Sequence, residues 1–282
     1  MKVRIVIDST ADVLPEIAQQ LHIVPLTVHF GTETYVDGVT ISHKQFYEML
    51  VERDTLPTTS QPSPEAFASV YREAQQVGEQ VVVLTVSSKL SGTHQSAVIA
   101  AMDFPDMVWV VDTKTVAIGS GILAELALQL KQQGLSAPEI AARLEIEREN
   151  VRVIALLDTL EYLKKGGRIS KTVAFAGGLL SIKPVAAIQD GEIALLGKAR
   201  GSKQGNNLLF GEIQKAGGID FSKPLMLGYT GLSDALLEKY VLDSGALWDG
   251  HGDCIRSTVI GSVIGTHAGP GAIAVAFFKK TV

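Results

Sequence analysis

The sequence holds a single cysteine, Cys254, so no intrachain disulfide can form and a reducing, cytoplasmic setting is expected. It also lacks a basic surplus. Lys and Arg total 25 against 30 Asp and Glu, a formal net charge of −5, and no basic stripe runs along the chain. That argues against nucleic acid as a partner, because phosphate backbones call for a cationic footprint. The Gly-x-x-x-x-Gly-Lys-Ser/Thr loop of Walker-type phosphate binding is absent, as is the Gly-x-Ser-x-Gly elbow of many hydrolases. Six histidines are scattered without a second strong ligand at metal-binding spacing, so no metal site is expected. Charged residues make up only 20 % and apolar residues 46 %, which excludes wholesale disorder. The opening run Met1–Asp8 is too brief for a signal-peptide core. Residues 257–278 carry no Asp, Glu, Lys or Arg, enough to span a bilayer. Gly261, Gly265, Gly269, Pro270 and Gly271, with His267 among them, make this stretch read instead as buried strand, Gly-rich loop and strand (Ala272–Phe278).

What is present is alternation. The chain's 282 residues suffice for one large domain or two modest ones. In the first half, strands are expected over Val3–Ile7, Ile23–Val28, Val81–Val86 and Met107–Val111. Helices are expected over Pro15–Leu21, from Ser42 through Glu52, from Ser63-Pro64, over Thr93–Met102 and Thr115–Gln133, and from Ser136. Ser42 with Gln45 and Ser136 with Glu139 have capping-box spacing. Such alternation predicts a largely parallel sheet with helices on its faces. After about residue 150 the pattern changes. Asp190-Gly191 between Pro184–Ile188 and Glu192–Leu196 is a hairpin signal, and Asp158-Thr-Leu-Glu161 has another capping-box spacing before the Gly166-Gly167 stop. The expected fold class is therefore α/β with two α/β domains. Residues 1–150 would hold the largely parallel sheet and residues 151–282 a mixed sheet with an antiparallel hairpin.

Three loops and two basic clusters could carry chemistry. Residues 57–64 and 87–93 are rich in hydroxyls and would both lie at strand C-terminal ends, where ligands of parallel sheets bind. Ser91 would cap the helix that follows. These hydroxyls either only cap helices and close turns, or hold an anion such as a carboxylate or phosphate. His267, within Gly265–Gly271, is either a satisfied core residue or a ligand group. The clusters Lys164–Lys171 and Ala199–Lys203 are either solvated charge or a local anion or partner site. Gly119-Ser-Gly121-Ile-Leu-Ala124 matches a dinucleotide pattern but lies well past its strand, where small residues would let a helix pack closely.

A set of motifs runs in order along the chain: Asp8-Ser9-Thr10, Pro25-Leu26, Tyr35-x-Asp37-Gly38, Thr59-Ser60-Gln61-Pro62, and Ser87-Ser88-x-Leu90-Ser91-Gly92-Thr93. Gly166-Gly167-Arg168-Ile169-Ser170, Lys183-Pro184 and His267-x-Gly269-Pro270-Gly271 complete it. Taken together, these motifs resemble the DegV family of fatty-acid-binding proteins. The resemblance implies a long-chain fatty acid such as palmitate or oleate, bound with Thr59, Ser60, Ser91 and His267 at its carboxylate. It implies no catalytic residue and no cofactor, but presentation of the carboxylate to a separate ATP-dependent fatty acid kinase subunit, which makes an acyl-phosphate for lipid metabolism. Arg168 and Arg200 match family arginines near the site mouth, where kinase or acyl-phosphate contact would occur, and transient membrane contact is compatible with lipid exchange. Rival readings are a stand-alone phosphotransferase and a regulatory interaction protein with lipid as structural filler. Which residues line the acyl tunnel does not follow from the sequence.

Overall fold

The computed structural model describes residues 2–169 and 182–280. The first half runs β1 (Lys2–Asp8), α1 (Pro15–Ala18), β2 (His22–Val24), β3 (Thr27–Phe30), β4 (Glu33–Val36), α2 (His43–Glu52), β5 (Thr58–Ser60) and α3 (Pro64–Gln76). It continues with β6 (Glu79–Thr85), α4 (Thr93–Ala101), β7 (Val108–Asp112), α5 (Ile118–Gln132) and α6 (Ala137–Glu147). The second half runs β8 (Val151–Leu156), α7 (Glu161–Lys165), β9 (Ile182–Gln189), β10 (Glu192–Arg200), α8 (Gly201–Lys215) and β11 (Met226–Tyr229). It ends with α9 (Ala235–Asp243), β12 (Ser257–Val259), α10 (Ser262–Ala268) and β13 (Ile273–Phe278).

The strands form a four-stranded sheet β2-β1-β6-β7, a six-stranded sheet β10-β9-β8-β13-β11-β12 and a three-stranded sheet β4-β3-β5. Every pairing in the first is parallel. The second is antiparallel except between β11 and β12, which makes it mixed. The fold is thus α/β with a parallel and a mixed sheet, as the alternation predicts. A continuous core joins the two large sheets: Ile5, Ile7, Val82 and Leu84 of the first pack with Val153, Ala274 and Ala276 of the second around Ile118, Ile122 and Leu123 of α5. The close approach explains the glycines of α5. A Cβ on Gly121 would lie 2.0 Å from the Asp12 carbonyl oxygen, and one on Gly119 would lie 2.3 Å from a Val153 methyl. Their smallness serves packing.

Several local signals act as read. The Ser42 hydroxyl accepts from the Gln45 N–H while Gln45 accepts from the Ser42 N–H. Asp190 and Gly191 both take positive φ, 49° and 81°, the geometry of a two-residue hairpin turn. Other expectations need correction. The strand expected over Ile23–Val28 is broken at Pro25, which has no N–H for a ladder; β2 stays in the parallel sheet and β3 leaves for the three-stranded one. Residues 58–60 are not loop but β5, paired with β3. The capping box at Asp158–Glu161 does not form, because Asp158 is taken by Lys183 and the Thr159 hydroxyl accepts the Glu161 N–H. Helix α1 ends three residues early, at Ala18. Ser170 and Lys171 of the expected basic cluster lie outside the described residues.

Candidate functional site

In the parallel sheet the chain steps from β1 outward to β2 and later to the other side of β1 at β6. The carboxyl ends of β1 and β6 therefore border a topological switch point, where open α/β sheets leave a crevice. Asp8 ties these ends together. Its buried carboxylate accepts the Val86 N–H at 2.7 Å, the Thr10 N–H at 2.9 Å and the Thr10 hydroxyl at 2.6 Å. Burial raises its pKa, and these hydrogen bonds pull against the rise.

A cavity of about 390 Å³ opens above this crevice. Thr10, Val86, Leu90, Val116 and Ala117 line its parallel-sheet side, and the six-stranded sheet supplies the facing wall. On β8, Val153 and Ala155 face the cavity while Ile154 and Leu156 pack behind the sheet, the period-two alternation of a strand. Register makes the floor. Ala274 pairs with Ala155, and Ala155 with Ala186, so three alanines lie in a row across β13, β8 and β9. Side chains that end at Cβ leave hollow space that leucine or valine would fill. Leu157, Leu163, Ile188, Ile193, Val263 and Ile264 enclose it.

One end of the cavity is polar. Thr59 Oγ1 and His267 Nε2 lie 3.2 Å apart, although 208 residues separate them. Strand β5 turns Thr59 inward, while the Ser60 hydroxyl points the other way and bonds His29 Nε2 at 2.9 Å. Gln61 joins this strand to the start of α4, donating to the Gly92 carbonyl at 3.2 Å and to the Ser96 hydroxyl at 3.0 Å. Ser91 lies one residue before the cap of α4, which is Gly92, and its hydroxyl bonds Thr93 Oγ1 at 2.9 Å. The expected capping by Ser91 thus becomes a turn contact, which keeps its hydroxyl at the cavity lining.

His267 is not in a loop as expected. It stands in the last turn of α10, because Gly265 serves close packing rather than a turn: a Cβ there would lie 2.5 Å from the Tyr47 hydroxyl and 2.8 Å from Phe46. Gly166 does the same at the other edge of the ring, where a Cβ would lie 2.2 Å from His267 Nδ1. That Nδ1 is buried with no hydrogen-bond partner among the described residues. Burial, with the nearby Arg168 cation adding to it, depresses the His267 pKa to about 4, so the imidazole is neutral at neutral pH. Arg168, exposed after α7, donates to the Gly166 carbonyl at 2.7 Å and to the Leu90 carbonyl at 3.4 Å.

Thr59, Ser91, His267 and Arg168 therefore converge on one cavity from four distant segments, and Ser60 contributes to its lining without its hydroxyl aimed at Thr59. Arg200 does not join them: it is exposed at the end of β10, off the cavity lining, with its N–H on the Gln204 side chain. Sequence reasoning missed Gln61 as a bridge and Thr10 as lining, although both stand inside motifs it quoted. Among the described residues no group of three or more His, Cys, Asp or Glu could hold a metal ion, and no helix is long and apolar enough to cross a membrane.

The family model described as "Uncharacterised protein, DegV family" matches residues 2–280. A DegV domain-containing protein of Deinococcus radiodurans is 36 % identical over 282 residues, 98 % of each chain. Among solved structures, a fatty-acid-binding DegV family protein from Thermus thermophilus is 33 % identical with a TM-score of 0.87, covering 99 % of this chain and all of that one. The Fatty Acid Kinase (Fak) B3 protein of Streptococcus pneumoniae, loaded with linoleic acid, shares the fold at 24 % identity and a TM-score of 0.85, over 99 % of this chain and all of that one. With its motifs in family order and the match running nearly end to end, the chain belongs to the DegV family.

Proposed function

We propose that this protein binds a long-chain fatty acid, with the carboxylate at Thr59, Ser91 and His267 and the acyl tail over the alanine floor. The observation that carries the reading is a mostly apolar cavity with the polar Thr59–His267 pair in its lining. Hydroxyls can donate to a carboxylate, and a neutral imidazole offers a further donor without adding a second buried charge. Arg168 at the mouth supplies a cation within reach of the head group. Burial of the tail contributes about 0.8 kcal/mol per CH₂, so the tail dominates affinity and the polar end fixes direction. The relatives' fatty-acid-binding structures support the ligand class. In this reading the protein is a cytoplasmic, non-catalytic carrier that needs no cofactor. It hands the carboxylate to a separate ATP-dependent kinase for acyl-phosphate formation, with Arg168 at the contact and the exposed Arg200, off the cavity lining, as a second candidate for it.

Native mass spectrometry of freshly purified protein, with extraction of any bound lipid, tests the ligand class. A mass increment that extracts as a fatty acid supports the carrier, and an empty protein that also refuses palmitate and oleate overturns it. The hydroxyl assignment is tested by replacing Thr59→Val together with Ser91→Ala. The pair is expected to lower the preference for palmitate over its methyl ester by roughly tenfold or more. Equal preference in wild type and variant would discard these hydroxyls as the carboxylate site.

A further inference from the structure

Helix α10 brings His267, Val263 and Ile264 to the cavity, yet its own first residues supply no side-chain cap. Its start is held instead by side chains from the first fifty residues. Asp12 Oδ1 accepts the Gly261 N–H at 2.8 Å, and the Tyr47 hydroxyl donates to the Ile260 carbonyl at 2.8 Å. Asp37 lies beside Ser9 and Ser262, with His43 close by. Asp12 and Asp37 are only 5 % and 3 % exposed, and each keeps one carboxylate oxygen with no partner among the described residues. Burying two carboxyl groups side by side is costly, and burial raises the pKa of both. Neither lines the cavity. The same Asp12 also touches the opposite wall: its N–H donates to the Ala117 carbonyl at 3.3 Å, and Gly121 of α5 packs directly on its own carbonyl. Asp8, Asp12 and Asp37, whose cluster the ligand reading leaves unused, thus surround the joint between β1, α5 and α10.

We propose that Asp12 is a positioning residue which, acting through the Gly261 N–H at the start of α10, sets His267 against Thr59 without touching the ligand. The palmitate readout rests on the fatty-acid reading, whereas the imidazole readout does not. Asp12→Ala removes the acceptor for Gly261. Asp12→Asn retains an oxygen at that place. In delipidated protein the His267 imidazole ¹⁵N resonances, identified by their loss in His267→Gln, are expected to move in Asp12→Ala and to return toward wild type in Asp12→Asn. The palmitate-over-ester preference is expected to fall roughly tenfold in Asp12→Ala and to recover in Asp12→Asn. Should Asp12→Ala fail to fold, Tyr47→Phe, which removes the donor to the Ile260 carbonyl at the same helix start, is expected to move the same resonances. Lowered thermal stability with unmoved His267 resonances and an unchanged preference would overturn the proposal, reducing Asp12 to a structural role. If wild type itself fails to distinguish acid from ester, the fatty-acid reading fails, and the His267 resonances still decide the positioning.

Discussion

At the scale of single residues, His267 combines burial, an Nδ1 with no partner among the described residues and a depressed pKa. The depression has a consequence for stability. Between its folded value of about 4 and its ordinary 6.5 the unfolded chain binds the extra proton, so His267 makes stability fall as pH drops through that window. The loss amounts to up to roughly 3 kcal/mol. The buried carboxyl groups of Asp8, Asp12 and Asp37 act in the opposite sense: raised in the folded state, they lose stability as pH rises above the ordinary carboxylate range. Urea unfolding of wild type and His267→Gln from pH 7.5 to pH 4.5 separates the two. The variant is expected to lack most of the decline below pH 6.5, and a parallel decline in both proteins would mean His267 titrates normally. His267 itself stands out in the sequence as the lone titratable group of an apolar stretch. Its helix does not, since Gly265 and Gly269 read locally as a turn and only contact with Tyr47, Phe46 and Tyr162 shows why they are small.

At the scale of elements, the cavity depends on strand register. The row Ala274–Ala155–Ala186 exists because β13, β8 and β9 pair where they do. A shift by one residue would turn Ile273, Ile154 and Val185, now in the core behind the sheet, toward the ligand side. Leucine at the middle position fills the hollow. Ala155→Leu is expected to weaken palmitate retention at least tenfold while a chain about four carbons shorter loses less, since each CH₂ contributes about 0.8 kcal/mol. Competition binding across chain lengths checks it, and an unchanged length preference would place the tail elsewhere. The hairpin β9–β10 was legible from Asp190-Gly191, as the helices after Ser42, Ser63 and Ser136 were from their caps. Strand β5 was not, because its partner is a strand some thirty residues earlier and its composition is that of a loop.

At the scale of the whole molecule, the two halves are joined by charge as well as by core. Glu147, at the end of α6, has a side chain only 6 % exposed and pairs with Lys223 at 2.6 Å and Arg143 at 2.9 Å. Glu125 of α5 likewise meets Arg256 ahead of β12 at 2.8 Å. The Ser87 hydroxyl donates to the Gly191 carbonyl at 2.7 Å, docking the hairpin tip on the loop that carries Ser91. Glu147→Ala leaves the Lys223 ammonium without its carboxylate. The expected cost is about 1.5–3 kcal/mol, read as a lower urea midpoint. An unshifted midpoint would assign the joint to apolar contacts alone.

The sequence by itself determined the α/β class, the helix starts after Ser42, Ser63 and Ser136 and the hairpin turn, and through motif order it singled out Thr59, Ser91, Arg168 and His267 as candidates. These signals act over a few positions, where a cap, a turn or a period of two or 3.6 is written in adjacent residues. Only the tertiary structure decided that Thr59 meets His267, that Asp12 holds the Gly261 N–H just ahead of α10, and that three alanines share one row. A cavity consists of side-chain volume left out by strands far apart in the chain, and no local pattern records which small residues will come to face one another.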